Sequence, residues 1–211
     1  MDIMELIMII PILLLSLSLH EYSHGKVSHL LGDPTPEMMG RLTLNPIAHL
    51  DLMGTLVLII TRRIGWAKPV PVNPRYYKNP RKGLMLVGLA GPAANMLLAI
   101  LFSLILRLYL AFGNFTMLRI SYGLTSFQQT IITFLYLAVM LNISLAVFNL
   151  LPVPPLDGSK ILRGFLPHRF DRYLNQLEGM AGMLIIMLLA FTGILWRLIS
   201  PIIYFVLNIL I

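Results

Sequence analysis

Four stretches of this chain are apolar over the length a lipid bilayer demands of a helix, about 20 residues each. They run from Ile3 to about Leu31, Gly83 to Phe112, Phe127 to Leu151 and about Met180 to Ile199. Hydrocarbon offers no water to satisfy backbone amides and carbonyls, so such stretches must be helices that bond internally. The chain is 57% hydrophobic and 12% charged, the balance of a polytopic membrane protein. Its 211 residues leave room for one membrane-embedded domain, 1–211, and no separate soluble one. The first stretch opens with Asp2 and Glu5, where a secretory signal carries bases, and no small-residue cleavage site follows. It is therefore expected to remain as a membrane helix.

Two stretches do not fit the spanning pattern. Leu50 to Ile60 is about half the length needed to cross and lies between turn-rich segments, which suits a re-entrant or interfacial element. After it, Trp66-Ala67-Lys68-Pro69-Val70-Pro71-Val72-Asn73-Pro74 has prolines too frequent for a helix or a central strand, and reads as an extended segment or edge hairpin at the membrane surface. Pro201 to Ile211 is short and follows a proline; it is either a fifth span completed from Leu198 or an interfacial helix. The expected fold is all-α, with four to six membrane helices, a re-entrant segment and a small surface hairpin or extended element.

Charge orients this fold. Arg62 to Lys82 holds seven Lys/Arg and no acid, and Pro152 to Asn175 is also net basic, while Gly113 to Ser126 carries only Arg119. The first two loops are expected on the cytoplasmic side. The same effect accounts for the net charge of +7, so no nucleic-acid partner is expected. Zero cysteines exclude disulfides, thiolate metal sites and cysteine nucleophiles.

The first apolar run carries only Glu5 and two serines between Ile3 and Leu19, and then reaches His20-Glu21-Tyr22-Ser23-His24. Residues four apart share a helix face, so the two imidazoles can meet one tetrahedral zinc while Glu21 serves as a base beside it. Ionisable groups at bilayer depth are expensive and usually do something. The topology puts both histidines toward the cytoplasmic half, roughly 30 Å along the helix.

A catalytic zinc takes three protein ligands. Asp33 and Glu37 follow soon after the motif but sit in a polar turn, where solvated carboxylates are ordinary. Asp157 closes Asn149-Leu150-Leu151-Pro152-Val153-Pro154-Pro155-Leu156-Asp157-Gly158, where prolines break a spanning helix on the same side as His20 and His24. Broken backbone at that depth is tolerated where it is buried in protein or lines a cavity. Asp157 is the favoured third ligand; helix N-capping is the competing role for it.

The pairing of HExxH with Asn149-xx-Pro152-xxxx-Asp157-Gly158 resembles the site-2 protease family of intramembrane zinc metalloproteases. Asn45-Pro46 with His49 and Asp51, Gly65-Trp66-Ala67-Lys68-Pro69-Val70 and Gly91-Pro92-xx-Asn95 look like its small prokaryotic branch, which lacks PDZ and CBS domains. Leu52 departs from the proline often found there in related sequences. The resemblance implies one Zn2+ per chain held by His20, His24 and Asp157, with Glu21 as general base and Asn149 positioning the substrate backbone; an interhelical hydrogen bond is the other role open to Asn149. Asn95 is read as a packing residue, and His49 and Asp51 as interfacial polar contacts. The Trp66–Asn73 segment is a candidate to capture an unwound substrate strand by edge pairing.

The expected function is hydrolysis of a peptide bond in or near the transmembrane segment of another membrane protein, as in regulated intramembrane proteolysis, by a multi-pass cell-membrane protein whose active site faces the cytoplasmic side. The bilayer and a transmembrane substrate are the expected partners; a homo-oligomer or an accessory membrane regulator stays open. The rival class is a non-hydrolytic membrane metal-binding protein, a transporter or scaffold. A transporter is expected to repeat its ligand sets, and a scaffold has no need of Glu21.

Overall fold

The computed structural model describes residues 3–61, 66–112 and 126–211. Residues 1–2, 62–65 and 113–125, with Asp2, Arg62, Arg63, Gly65 and Arg119 of the arguments above, lie outside them. The regular elements described are all helical: α1 (Ile3–Leu30), α2 (Thr35–Met38), α3 (Leu52–Thr61), α4 (Pro80–Phe112), α5 (Ser126–Asn149), α6 (Asp157–Phe165), α7 (Asp171–Leu177), α8 (Met180–Phe191) and α9 (Ile194–Leu210). Among the described residues α1, α4 and α5 are long and apolar enough to cross a bilayer. The pair His168–Leu177 and Met180–Phe191, bent by 69°, makes a fourth if taken as one span.

The centre of the bundle is α4, which packs against α1, α5 and α6. It starts where the sequence lets a helix start. Asn79 Oδ1 accepts from Lys82 N at 3.1 Å, and Pro80 needs no amide partner at the first position. Its inward face is small: Gly83, Gly88, Gly91, Pro92, Ala94 and Ala99 are all buried, which lets neighbouring helices approach closely. An apolar core of Ala99, Val139, Ile143, Ile186, Ile199 and Ile203 ties α4 and α5 to α8 and α9. Large side chains such as Leu97, Leu104 and Phe205 face outward, as a lipid-solvated surface requires.

The last expected span is interrupted. Met180 to Ile199 breaks at Gly193, whose φ of +74° favours glycine, so α8 stops at Phe191. The following helix starts at Ile194, earlier than the Leu198 of the sequence reading, and continues through Pro201 for 17 residues, roughly 25 Å. The half-length misfit is a short helix: α3 has 10 residues, and Asp51 Oδ1 accepts from Gly54 N at 2.7 Å at its start, which makes Asp51 a helix cap. Of the two forms allowed for Trp66–Asn73, the structure has the extended one. It forms a single antiparallel bridge, Leu50 to Ala67, with Lys68 N donating to His49 O at 2.9 Å. There is no strand among the described residues.

Candidate metal centre

Helix α1 stacks His20 and His24 on one face, with ring centroids 4.6 Å apart and planes at 85°. Their Nε2 atoms are 3.0 Å apart. Asp157 is the first residue of α6, and its Oδ2 lies 3.1 Å from His20 Nε2 and 3.0 Å from His24 Nε2. All three residues are buried. The N-cap position belongs to Leu156 and has no side-chain bond, so the competing role for Asp157 is not the one it plays. Its second oxygen, Oδ1, accepts from Lys160 Nζ at 2.8 Å.

The far side of each imidazole decides what this triangle can hold. His24 Nδ1 is 2.6 Å from Val87 O, a carbonyl that can only accept, so Nδ1 carries the proton. His20 Nδ1 is 2.6 Å from Asn95 Oδ1. The Asn95 amide is oriented by its other end: Nδ2 donates to Asn142 Oδ1 at 3.1 Å and to Ser16 O at 3.3 Å. Asn142 is oriented in turn, because its Nδ2 donates to Ala138 O at 2.9 Å. Every amide in the chain therefore points its oxygen toward the histidine, which fixes the Nδ1–H tautomer. In the neutral imidazoles both Nε2 atoms are then lone pairs, facing each other and a carboxylate oxygen. A single proton would relieve one of these contacts; a dication relieves all three. Two neutral imidazoles and a carboxylate are a zinc donor set, and separations near 3 Å approach the edge of roughly 3.3 Å of a tetrahedron with ligands at about 2.0–2.1 Å. The outer hydrogen bonds are those that orient metal-binding histidines in general.

Glycines make the close packing feasible. A Cβ on Gly91 of α4 would overlap both imidazoles, and one on Gly158 would overlap the carbonyls of Leu150 and Leu151 at the end of α5. Gly88 brings α4 against the Asp157 carbonyl, with a Cβ position only 3.0 Å from it.

Glu21 is buried, and its Oε2 accepts from Val70 N at 2.9 Å. Val70 belongs to a strap, residues 68–73, that the chain ties down along its length. Besides the Lys68 bond, Arg41 donates to Lys68 O at 2.6 Å and to Pro69 O at 3.3 Å, and Asn73 N donates to Asp33 Oδ2 at 2.6 Å. The amides of Lys68, Val70 and Asn73 are thus engaged within the chain, and Pro69 and Pro71 have none. The Val72 amide and the carbonyls of Val70 to Val72 are the groups of this stretch left for the edge pairing the sequence suggests.

The rejected carboxylates have other work. Asp33 also accepts from Ser28 Oγ at 2.7 Å and Thr35 N at 2.9 Å. Burial pushes its carboxyl up, but the bonds from Asn73, Thr35 and Ser28 outweigh this and hold it below the usual carboxylate range. Glu37 is exposed and lies 3.6 Å from His29. His49 is buried and bonds Thr43 O at 2.8 Å. Asn149 turns its Nδ2 back to Leu145 O at 2.9 Å and makes no bond to the three clustered residues.

The sequence reading missed two features. Asn95 is more than a packing residue, since it holds His20. Asn142 is the other: an amide in the middle of an apolar span, two turns before Asn149, is the kind of residue that must find a partner inside a membrane.

Comparison with known proteins gives the family. The model of "Peptidase family M50" matches residues 8–193. The chain belongs to peptidase family M50. Among curated relatives it is 38% identical over 192 residues to "Putative zinc metalloprotease YwhC" of Bacillus subtilis (strain 168), covering 89% of this chain and 84% of that one. It is 34% identical over 202 residues to "Putative zinc metalloprotease Rip2" of Mycolicibacterium smegmatis (strain ATCC 700084 / mc(2)155), covering 94% of this chain and 72% of that one. No solved structure matches.

Proposed function

We propose that this M50 peptidase is an intramembrane zinc endopeptidase that cuts another membrane protein in or near its transmembrane segment and so frees a tethered domain. The observation that carries this reading is the convergence of two Nε2 lone pairs and one carboxylate oxygen, with both Nδ1 protons committed elsewhere, beside a buried glutamate. His20, His24 and Asp157 are the residues to hold zinc. Zinc, when bound, supplies a Lewis acid that acidifies water and polarises a carbonyl. Glu21 takes a proton from the attacking water and passes it to the amine nitrogen as the new C–O bond forms and the C–N bond breaks. The Asn95 and Val87 acceptors hold both Nδ1–H groups and so aim both Nε2 atoms at the metal position. Asn149, near the end of α5, is the candidate to meet a substrate backbone amide through its Oδ1.

Orientation follows from charge. Arg75, Lys78 and Lys82 at the start of α4, and Lys160, Arg163, Arg169 and Arg172 in the segment after α5, favour placing this end of the bundle, and the site, toward the cytoplasm. The non-hydrolytic reading is weaker, because metal binding alone gives no reason to bury and anchor Glu21.

The test is cleavage in phospholipid vesicles of a synthetic single-span peptide that carries a fluorophore and a quencher either side of a glycine-rich stretch in its span. Wild type should release product, and Glu21→Gln with equal zinc should not. Equal cleavage by both would overturn the reading.

A further inference from the structure

The strap is more securely fixed than a surface connection needs to be, and its middle residue touches the proposed base. Val70 is buried, its Cγ1 packs where a Cβ on Gly25 would stand 3.1 Å away, and Gly25 follows the second histidine directly. Fixed points lie on both sides of Val70, at Lys68 through His49 O and Arg41, and at Asn73 through Asp33. Between them the Val70 amide has one partner, Glu21 Oε2 at 2.9 Å. A carboxylate side chain on a helix can rotate about several bonds, and a base that must meet a water proton gains from being held in one orientation.

From this we infer that the backbone amide of Val70 is a positioning group for Glu21: it anchors Oε2 and leaves Oε1 as the oxygen that takes the proton from water and returns it to the leaving nitrogen. The inference rests on the reading of Glu21 as the base. It adds a division of labour between its two oxygens and a role for the strap inside the chemistry. The strap's anchors at Asp33, Arg41 and His49 become the means by which the amide is held in place.

Two changes share the loss of this N–H and little else. Replacing the Val70 residue by its α-hydroxy acid turns the amide into an ester; this also weakens the Pro69 carbonyl, which Arg41 meets only at 3.3 Å. Val70→Pro keeps that carbonyl and removes the hydrogen. Each is assayed in full-length protein with the same vesicle-borne peptide, beside zinc content and unfolding temperature. Both should lower kcat about ten-fold or more, as expected for loss of a hydrogen bond to a charged group, with KM within about two-fold and zinc retained. In a Glu21→Asp background, where the shortened side chain no longer reaches the strap, the ester should cost less than about two-fold more.

An ester that keeps wild-type kcat, or one whose cost is unchanged in Glu21→Asp, would overturn the inference. So would a rise in kcat, which would make the strap a plug. If instead wild type cleaves no better than Glu21→Gln, the proposed function itself has failed, and the two failures are told apart by that control.

Discussion

Two polar regions sit inside this apolar protein, and they are built in different ways. The metal centre draws on long helices: His20 and His24 from α1, Asn95 from α4, Asn142 from α5, and Asp157 from the helix after it. Each is placed by its helix face, and the bonds from His20 to Asn95 and Asp157, and from Asn95 to Asn142, cross between elements far apart in sequence. The strap region relies on backbone groups, held by Asp33, Arg41 and His49 from the segment between α1 and α3. Side chains are thus held mostly by other side chains in the first region and by main-chain groups in the second. The two meet at Glu21, which belongs to α1 and is held by the strap. Changes in the first region should therefore act on metal binding, and changes in the second on stability or on the base, leaving metal in place.

Glu21→Gln separates the regions most sharply. It should cost about 10²–10⁴-fold in hydrolysis while zinc content stays at the wild-type level, read by rate and elemental analysis on the same sample. Asn95→Leu comes next. Losing the acceptor for His20 Nδ1 should weaken zinc binding by about 10–100-fold, measured by competition with a chelator. Asn142→Leu, one bond further out, should have a smaller effect in the same direction. Zinc affinity unmoved by Asn95→Leu would mean that the amide chain does not aim His20.

Asp33→Asn probes the strap side. It should lower stability by about 1–3 kcal/mol at neutral pH with zinc affinity unchanged. The sign of the pH dependence follows from the depressed carboxyl of Asp33. Its contribution is present above the unfolded value of about 3.9 and is lost as pH falls through the lower folded value, so wild type and Asp33→Asn should converge toward low pH in thermal unfolding. A zinc-affinity loss as large as that of Asn95→Leu would erase the distinction between the regions. The smallest effect is expected for Asp51→Ala, about 1 kcal/mol from loss of the α3 cap, visible as a modest fall in unfolding temperature.

The helices of the bundle were legible because lipid permits few alternatives, and the candidate ligands because HExxH and the proline-broken end of α5 each restrict position strongly. What the sequence concealed was of two kinds. The stop at Gly193 depends on one backbone angle inside an apolar run whose composition does not change there. The bond from Asn95 to His20, and from Asn142 to Asn95, depends on how three helices are rotated against one another, which no single-helix periodicity contains. The strap shows the same limit. Its prolines correctly indicated extended backbone, but the sequence could not say that Asp33, His49 and Glu21 would use its amides.

The most direct test of the central claim is the zinc content of detergent-purified protein by elemental mass spectrometry, for wild type, His24→Ala and Asp157→Ala purified in parallel. The account predicts close to one zinc per wild-type chain and a marked loss in both variants. Folded, zinc-supplied wild type without bound metal, or full retention in Asp157→Ala, would contradict it.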